Sequence, residues 1–375
     1  MRLPWQKYRT LNQILIDEFR LKNNLSLYRK LLPRVSVCPV LKSNAYGHGL
    51  TLTAKILDGK SGQGERCDFF CVDSLYEAYE LQKARIKTPI LILGYNFEEN
   101  LSRKLPFHFT AHDLHSLEVL NKLKLPIHLK INTGMNRMGF SWDEWETTLP
   151  LIEKIRPNIE GIYTHFASAD EPKSALTTLQ IQRFKKVLSS LKKAGFKPKY
   201  VHCSNSAGAL KSKSPLFNMA RIGLGLYGIN PYTPKDTLFS KLAGLKPVLE
   251  FRSTLIGVQS IQKGESVSYG ETYTAAKDQI IGVIAAGYYE GIPRSLSNKG
   301  TVSVNGTLCK ILGRVCMNHT LISLKGVTAS VGDEVVVYSK NSSAPHSVAW
   351  QAQKAGTIPY ELLIRLSESV KRQVQ

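Results

Sequence analysis

The stretch "VSVCPVLKSNAYGHGL" (35–50) runs from an apolar, β-branched segment into a lone lysine, Lys42, and then into a turn punctuated by Gly47 and Gly49. Its first half reads as a short strand. Segments of the same kind recur at "FFCVDS" (69–74), "PILILG" (89–94), "FHFTAHD" (107–113), "PIHLKIN" (126–132), "IEGIYTHF" (159–166), "YVHCSNS" (200–206) and "NMARIGL" (218–224). Helical patterns separate most of them. Ser74, with Glu77 three residues on, has the form of a capping box, and "TTLQIQRFKKVLSSLKKAG" (177–195) carries apolar residues at helical spacing up to Gly195. Strands alternating with helices in this way predict an α/β fold of the (β/α)8 TIM-barrel type.

Beyond about residue 240 the rhythm changes. "PVLEFRSTLIGVQSI" (247–261), "ESVSYGETYT" (265–274), "QIIGVIAAGY" (279–288), "TVSVNGTLCKILGRVCM" (301–317) and "GDEVVVYS" (332–339) read as closely spaced strands, with Asn305-Gly306 a strong hairpin signal. "SVAWQAQKAGTIPYELLIRLSESV" (347–370) returns to helical patterning. The expected organisation is an N-terminal barrel over 1–240 and a β-strand-rich C-terminal domain over 241–375.

Composition sets outer bounds. The chain has 375 residues, 43% of them hydrophobic, enough for a large core and more than one domain. The N-terminal "MRLPWQKYRTLNQILIDEF" has no continuous apolar segment, and no window is long enough to span a bilayer, so a cytoplasmic location is the default expectation. Cys38, Cys67, Cys71, Cys203, Cys309 and Cys316 lack zinc-ligand spacing, and several lie in apolar runs, which favours buried reduced thiols. With 50 basic and 29 acidic residues the net charge is +21. Basic residues are scattered along runs such as "QRFKKVLSSLKKAGFKPK", a pattern of solvated helix faces, and no specific nucleic acid is expected as a partner.

A barrel carries its chemistry on the loops at the C-terminal ends of its strands. Lys42 ends the first predicted strand, Lys130 lies at the end of the fifth, His165 ends the sixth, Asn205 and Ser206 end the seventh, and Arg221 belongs to the eighth. "CSNSAG" (203–208) and "GLGLYG" (223–228) put hydroxyls and glycine amides where barrels commonly bind phosphate. "GLGLYG" also fits a dinucleotide fingerprint, but the "INPYTP" that follows cannot open the required helix. A phosphorylated ligand is the reading that agrees with position.

These residues resemble a known family. "VLKSNAYGHGL" (40–50) is similar to the pyridoxal-phosphate lysine motif of bacterial alanine racemases. So, in order, are "HLKINTGMNRMGF" (128–140), "YTHFASAD" (163–170), "NSAGAL" (205–210), "RIGLGLYG" (221–228), "VSYGETY" (267–273), "GRVCMNH" (313–319) and "TIPYELL" (357–363). The resemblance spans nearly the whole chain and implies a barrel followed by a β-domain.

It further implies that Lys42 holds pyridoxal 5'-phosphate and acts as the base for D-alanine, with Tyr269 as the base for L-alanine. Racemisation needs a proton acceptor on each face of the substrate. His165 and Arg221 would surround Tyr269. An arginine at the cofactor's ring nitrogen cannot accept a proton, so Arg221 would confine the cofactor to proton exchange. Tyr46, Asn205, Ser206, Tyr360 and the amides of Gly223 and Leu224 would complete the cofactor site, and Arg137 with the Met317 amide would take the substrate carboxylate. Tyr288, Asp170, Arg294 and Arg314 would line the entrance. Lys130 matches a lysine that is carbamylated in several members. Family members are head-to-tail homodimers in which the two bases come from different subunits, and their product serves peptidoglycan synthesis.

Four residues depart from the family pattern. Asn132 stands for an aspartate, Asn136 for a glycine, Asn318 for an aspartate, and Glu290 where an aspartate is common. The changes at Asn132, Asn318 and Glu290 lose or relocate a carboxylate, which puts rate and substrate range in question. Alternative readings are a broader amino-acid racemase, a fold-related decarboxylase and a non-catalytic pyridoxal-phosphate-binding protein. A decarboxylase usually carries an acid where Arg221 stands.

Overall fold

The structure, a computed structural model, describes residues 8–59, 67–212 and 214–375. The first seven residues of the N-terminal stretch read above lie outside them. The chain divides into two compact units. One is Leu21–Ala45 with Leu50–Leu245; the other is Lys246–Gln375 with the residues up to Arg20 and Tyr46–Gly49.

Strands are numbered along the chain, and β1 (Gln13–Ile16) belongs to the second unit. The first unit carries β2 (Ser36–Pro39), β3 (Phe70–Val72), β4 (Ile90–Ile92), β5 (His108–Ala111), β6 (Ile127–Asn132), β7 (Phe140–Ser141), β8 (Ile159–Tyr163), β9 (Tyr200–Ser204) and β10 (Met219–Ile222). From β3 to β10 the strands other than β7 pair in parallel in chain order, and β10 pairs with β2. A parallel bridge from Val40 to Cys71 joins β2 to β3 and closes the ring. The predicted eight-stranded barrel is therefore present, with the short β7 added beside the end of β6. "FCV" of β3 and "ILI" of β4 are buried at every position. Such strands face the barrel interior on one side and the helical layer on the other, which is why they read as continuous apolar runs.

Ser74 caps the helix Leu75–Lys83 through the full capping box with Glu77. The predicted long helix spans Ala175–Lys193, and Gly195 follows it at φ 88°. Its apolar face buries Phe184, Val187 and Leu191.

The second unit adds β11 (Leu249–Ile261), β12 (Gln279–Ile284), β13 (Thr301–Val304), β14 (Thr307–Leu312), β15 (Thr320–Ser323), β16 (Glu334–Tyr338) and β17 (Lys371–Val374). Their order is β12-β15-β14-β13-β16-β11-β1-β17. Asn305 and Gly306, both at positive φ, form the tip of the β13–β14 hairpin. The C-terminal helical stretch resolves into Val348–Ala355 and Pro359–Ile364.

Two expectations are corrected. The barrel is expected to begin at residue 1, but β1 pairs with β11 and β17 and so belongs to the β-rich unit. "ESVSYGETYT" is a loop closed by a Ser266–Thr274 bridge, with a 3-10 turn over Tyr269–Glu271. Ser268 at φ 67° and Gly270 at φ 69° break the extended backbone there. All six cysteines are free thiols, and only Cys316 is more than slightly exposed.

Candidate active site

At the end of β2 the backbone does something unusual. Ser43, Asn44, Ala45 and Tyr46 all lie at φ between 52° and 55°, a left-handed turn of non-glycine residues. That conformation costs about 1–2 kcal/mol per residue and persists only where surroundings hold it. Ser43 N donates to Glu77 Oε1 at 2.6 Å, Ala45 N to the Leu41 carbonyl at 2.7 Å, and Leu50 N to Asn44 Oδ1 at 2.7 Å. The turn fixes the direction in which Lys42 leaves its strand. Lys42 Nζ meets Asp73 Oδ1 at 2.9 Å. Both groups are partly exposed, so the pair contributes little and frees the amine at small cost.

Arg221, 2% exposed, is held from several sides. One terminal nitrogen donates to His202 Nδ1 at 2.5 Å. The other donates to the Thr164 carbonyl at 3.0 Å and to His165 Nδ1 at 3.1 Å. The guanidinium also lies over the Tyr163 ring, 4.8 Å from its centroid. Burial, and after it the charges of Arg221, Arg137, Lys130 and Lys42, hold His165 neutral, well below its ordinary pKa. Burial followed by Arg137, Arg221 and Lys42 brings the Lys130 ammonium down to about 8. The barrel thus gathers Lys42, Lys130, Arg137, His165 and Arg221 within electrostatic reach of one another.

Ser206, also buried, accepts from the amides of Gly223 and Gly225, each at 3.1 Å. Both lone pairs of its oxygen are occupied, so what it retains is a proton to donate. Asn205 Oδ1 accepts from Gly208 N at 2.8 Å and orders the turn that follows β9. Asp170 is exposed on the loop beyond β8.

Asn132 and Asn136, two of the departures, bond to each other. Asn132 Nδ2 donates to Asn136 Oδ1 at 3.2 Å, and Asn132 Oδ1 accepts from the amides of Gly134 and Asn136 at 3.2 and 2.9 Å. They close the turn that leads to Arg137, with Asn136 at φ 55° taking the place of a glycine.

In the second unit Tyr269 projects from its 3-10 turn, 71% exposed. The Arg314 guanidinium packs under that turn, 3.0 Å from where a Cβ on Gly270 would lie. The Ser268 hydroxyl donates to the Arg314 carbonyl at 2.6 Å. Tyr288 N and Tyr289 N donate to the Cys316 and Met317 carbonyls at 3.0 and 2.9 Å, which sets the Met317 loop. Glu290 and Asn318, the other two departures, are also partners: Asn318 Nδ2 donates to Glu290 Oε1 at 2.8 Å, while Gly287 N donates to Glu290 Oε2 at 2.8 Å. Arg294 opens a 3-10 turn whose Ser297 hydroxyl accepts from Val315 N at 3.0 Å. The rings of Tyr46 and Tyr360 are 5.7 Å apart.

The donor set fits pyridoxal phosphate. Lys42 offers a primary amine at the barrel mouth, and Ser206 a buried hydroxyl proton suited to a phosphate oxygen. Arg221, with only donors and some still unspent, suits an unprotonated ring nitrogen. The sequence does not single out Asp73 or His202 and gives Glu77 only a capping role: Asp73 directly follows β3, but His202 lies in the middle of β9 and Glu77 inside the helix Leu75–Lys83, where no local signal marks them for the site.

A closed parallel barrel whose mouth presents an amine, a buried guanidinium and a phosphate-type hydroxyl, followed by a β-domain with an exposed tyrosine, defines a class of amino-acid isomerase. Residues 16–231 match the family described as alanine racemase, N-terminal domain, and residues 248–374 match alanine racemase, C-terminal domain. The alanine racemase of Carboxydothermus hydrogenoformans is 36% identical over 94% of this chain and 96% of its own. That of Staphylococcus saprophyticus is 35% identical over 98% and 95%. Among solved structures, the alanine racemase of Bacillus anthracis with bound L-Ala-P superposes with a TM-score of 0.87 at 30% identity, over 98% of this chain and 96% of that one. The enzyme of E. faecalis gives 0.86 at 32%, with both chains fully covered. The chain belongs to the alanine racemase family and is an isomerase.

Proposed function

We propose that this chain interconverts L- and D-alanine with pyridoxal 5'-phosphate, using Lys42 and Tyr269 as the two proton-transferring groups. The observation that carries the proposal is Arg221: buried, bonded to two imidazoles and a carbonyl, and placed on the strand that pairs with the one leading to Lys42. When bound, the cofactor withdraws electrons from the substrate and so acidifies its α-proton. Lys42 takes or returns that proton at Nζ on the D side, and Tyr269 does so at Oη on the L side. Because Arg221 has no proton-accepting atom, it keeps the ring nitrogen from being protonated and limits the chemistry to proton exchange. Ser206, oriented by the amides of Gly223 and Gly225, holds the phosphate with Tyr46, Tyr360 and the Leu224 amide. Arg137, on the turn closed by Asn132 and Asn136, receives the substrate carboxylate together with the Met317 amide. Lys130, with its pKa lowered to about 8, has an appreciable neutral fraction near neutrality. A neutral amine is the form that adds carbon dioxide, which supports the carbamate reading.

The solvent-facing Tyr269 supports a site completed by a second copy of the chain. We therefore read the working form as a head-to-tail homodimer, with Tyr288, Asp170, Arg294 and Arg314 around the substrate's path. No helix among the described residues is long and apolar enough to cross a membrane. The proposed setting is the cytoplasm, with D-alanine passed to peptidoglycan precursors.

The test is purified protein supplied with pyridoxal phosphate, followed by absorbance and by exchange of the α-proton of each alanine enantiomer in heavy water. Wild type should bind the cofactor and racemise. Lys42→Ala should lose the lysine-bound chromophore and all exchange. Tyr269→Phe should keep the chromophore and the exchange of D-alanine but lose that of L-alanine. Mixed and re-associated, the two inactive variants should recover roughly a quarter of wild-type activity, since half the dimers are mixed and each holds one intact site. Recovery of nothing would remove the shared-site reading, and exchange of L-alanine by Tyr269→Phe would remove Tyr269.

A further inference from the structure

Barrel interiors are normally filled by branched aliphatic side chains. Here the side chains below Arg221 include three histidines in contact. His202 Nε2 lies 3.1 Å from His128 Nδ1, and His128 Nε2 lies 3.3 Å from His108 Nδ1. His202 and His128 are completely buried, and His108 is partly exposed. Arg221 and His202 are third in β10 and β9, His128 second in β6 and His108 first in β5, so the contacts descend from the mouth toward the opposite end of the barrel.

Aromatic faces wall the rings in. Tyr163 stacks on His202 at 4.7 Å and Tyr200 on His128 at 5.8 Å, while Phe69 meets His108 and His128 edge-on at 4.7 and 5.7 Å. The ring edges are left for hydrogen bonding. Space for His128 depends on Gly161 beside it in β8, where a Cβ would lie 2.2 Å from His128 Nδ1.

The direction of the hydrogen bonds follows from Arg221. A guanidinium only donates, so His202 Nδ1 must accept and its proton must sit on Nε2. That proton is donated to His128 Nδ1, which puts the His128 proton on Nε2 and directs it to His108 Nδ1. We propose that His202, His128 and His108 are positioning residues for Arg221: a one-way chain of neutral imidazoles that fixes the guanidinium's orientation and offsets its charge. The aligned ring dipoles turn their negative ends toward Arg221, adding to the Thr164 carbonyl, His165 and the Tyr163 ring face that it also meets. Burial, the first cause, holds His128 and His202 well below the ordinary histidine pKa, consistent with neutral rings. The chain of bonds stands independently of the racemisation reading; its effect on turnover rests on that reading.

Two measurements separate these. In cofactor-loaded protein labelled with 15N-histidine at pH 7, two-bond proton–nitrogen spectra should show His202, His128 and His108 as neutral rings protonated at Nε2. A charged ring, or an Nδ1-protonated one at His202 or His128, overturns the proposal whatever the enzyme's substrate. The second compares His128→Phe, which keeps the aromatic bulk but breaks the chain, with His128→Gln, which can still accept from His202 and donate to His108. His128→Phe should lower kcat for alanine about tenfold with KM nearly unchanged and release His202 into a mixture of tautomers, while His128→Gln should retain most of both properties. Equal behaviour of His128→Phe and wild type in kcat and in the His202 spectrum would reduce the chain to core filling. Should His128→Phe fail to fold, the wild-type spectrum still decides.

Discussion

Glu290 and Asn318 are 28 positions apart, and each alone looks like a loss of the family's usual aspartate. Together they are one interaction, in which an amide donor has replaced an acid beside a carboxylate that is 8% exposed. Restoring the usual residue should therefore harm this protein. Asn318→Asp sets two carboxylates within hydrogen-bonding distance and should destabilise by roughly 1–3 kcal/mol, measured by urea unfolding at pH 7. Adding Glu290→Gln to that variant should return most of the loss, and failure of the double variant to recover would show that the pair is not the cause. Asn132 and Asn136 repeat the pattern on the Arg137 turn. What the sequence revealed at this scale was residue type at a motif position, which is enough to single out Lys42, Ser206 and Arg221 as candidates. Pairings between distant positions and the histidines beneath Arg221 were hidden, because neither periodicity nor motif records which side chain meets which.

Among elements, the left-handed turn after Lys42 depends on a helix that begins more than thirty residues later. Glu77 closes the capping box with Ser74, yet its two oxygens also accept from the amides of Ser43 and Asp73, at 2.6 and 2.8 Å. Replacing it with Ala passes those donors to solvent and removes the carboxylate that ties the two segments together. Glu77→Ala should cost about 1–3 kcal/mol and weaken cofactor retention, whereas Ser74→Ala should cost only about 0.5–2 kcal/mol, the loss of a cap, with retention intact. Thermal unfolding and cofactor dissociation by equilibrium dialysis would check both; equal loss of retention in the two variants would argue against a special role for Glu77. The eight barrel strands were legible because strands covered on both faces are largely apolar, β3 and β4 at every position. β1 and β17 were not, since four residues each, pairing with one another from opposite ends of the chain, leave no local signal. The loop around Tyr269 misled for the opposite reason: "VSY" has strand composition, but Ser268 and Gly270 take positive φ.

Across the whole molecule, the net charge of +21 and the buried histidines both govern the response to acid, and they can be separated. Burial lowers His108 and His112 to about 4 and takes His128, His165 and His202 well below their ordinary value. In the unfolded chain each titrates near 6.5. Between those values the unfolded state binds more protons than the folded one, so stability is complete above about pH 6.5 and falls as the pH drops toward the folded values. Each histidine contributes a slope approaching about 1.4 kcal/mol per pH unit once its unfolded form is fully protonated. Urea unfolding followed by tryptophan fluorescence should therefore show stability falling steeply between pH 6.5 and 5, before carboxylates begin to titrate. Self-repulsion of a cationic chain would act in the same direction, but added salt screens it, whereas salt does not restore water to a buried ring. If the loss persists in high salt, neutral buried histidines are its source; if salt abolishes it, or stability is flat over this range, the barrel does not hold these rings neutral.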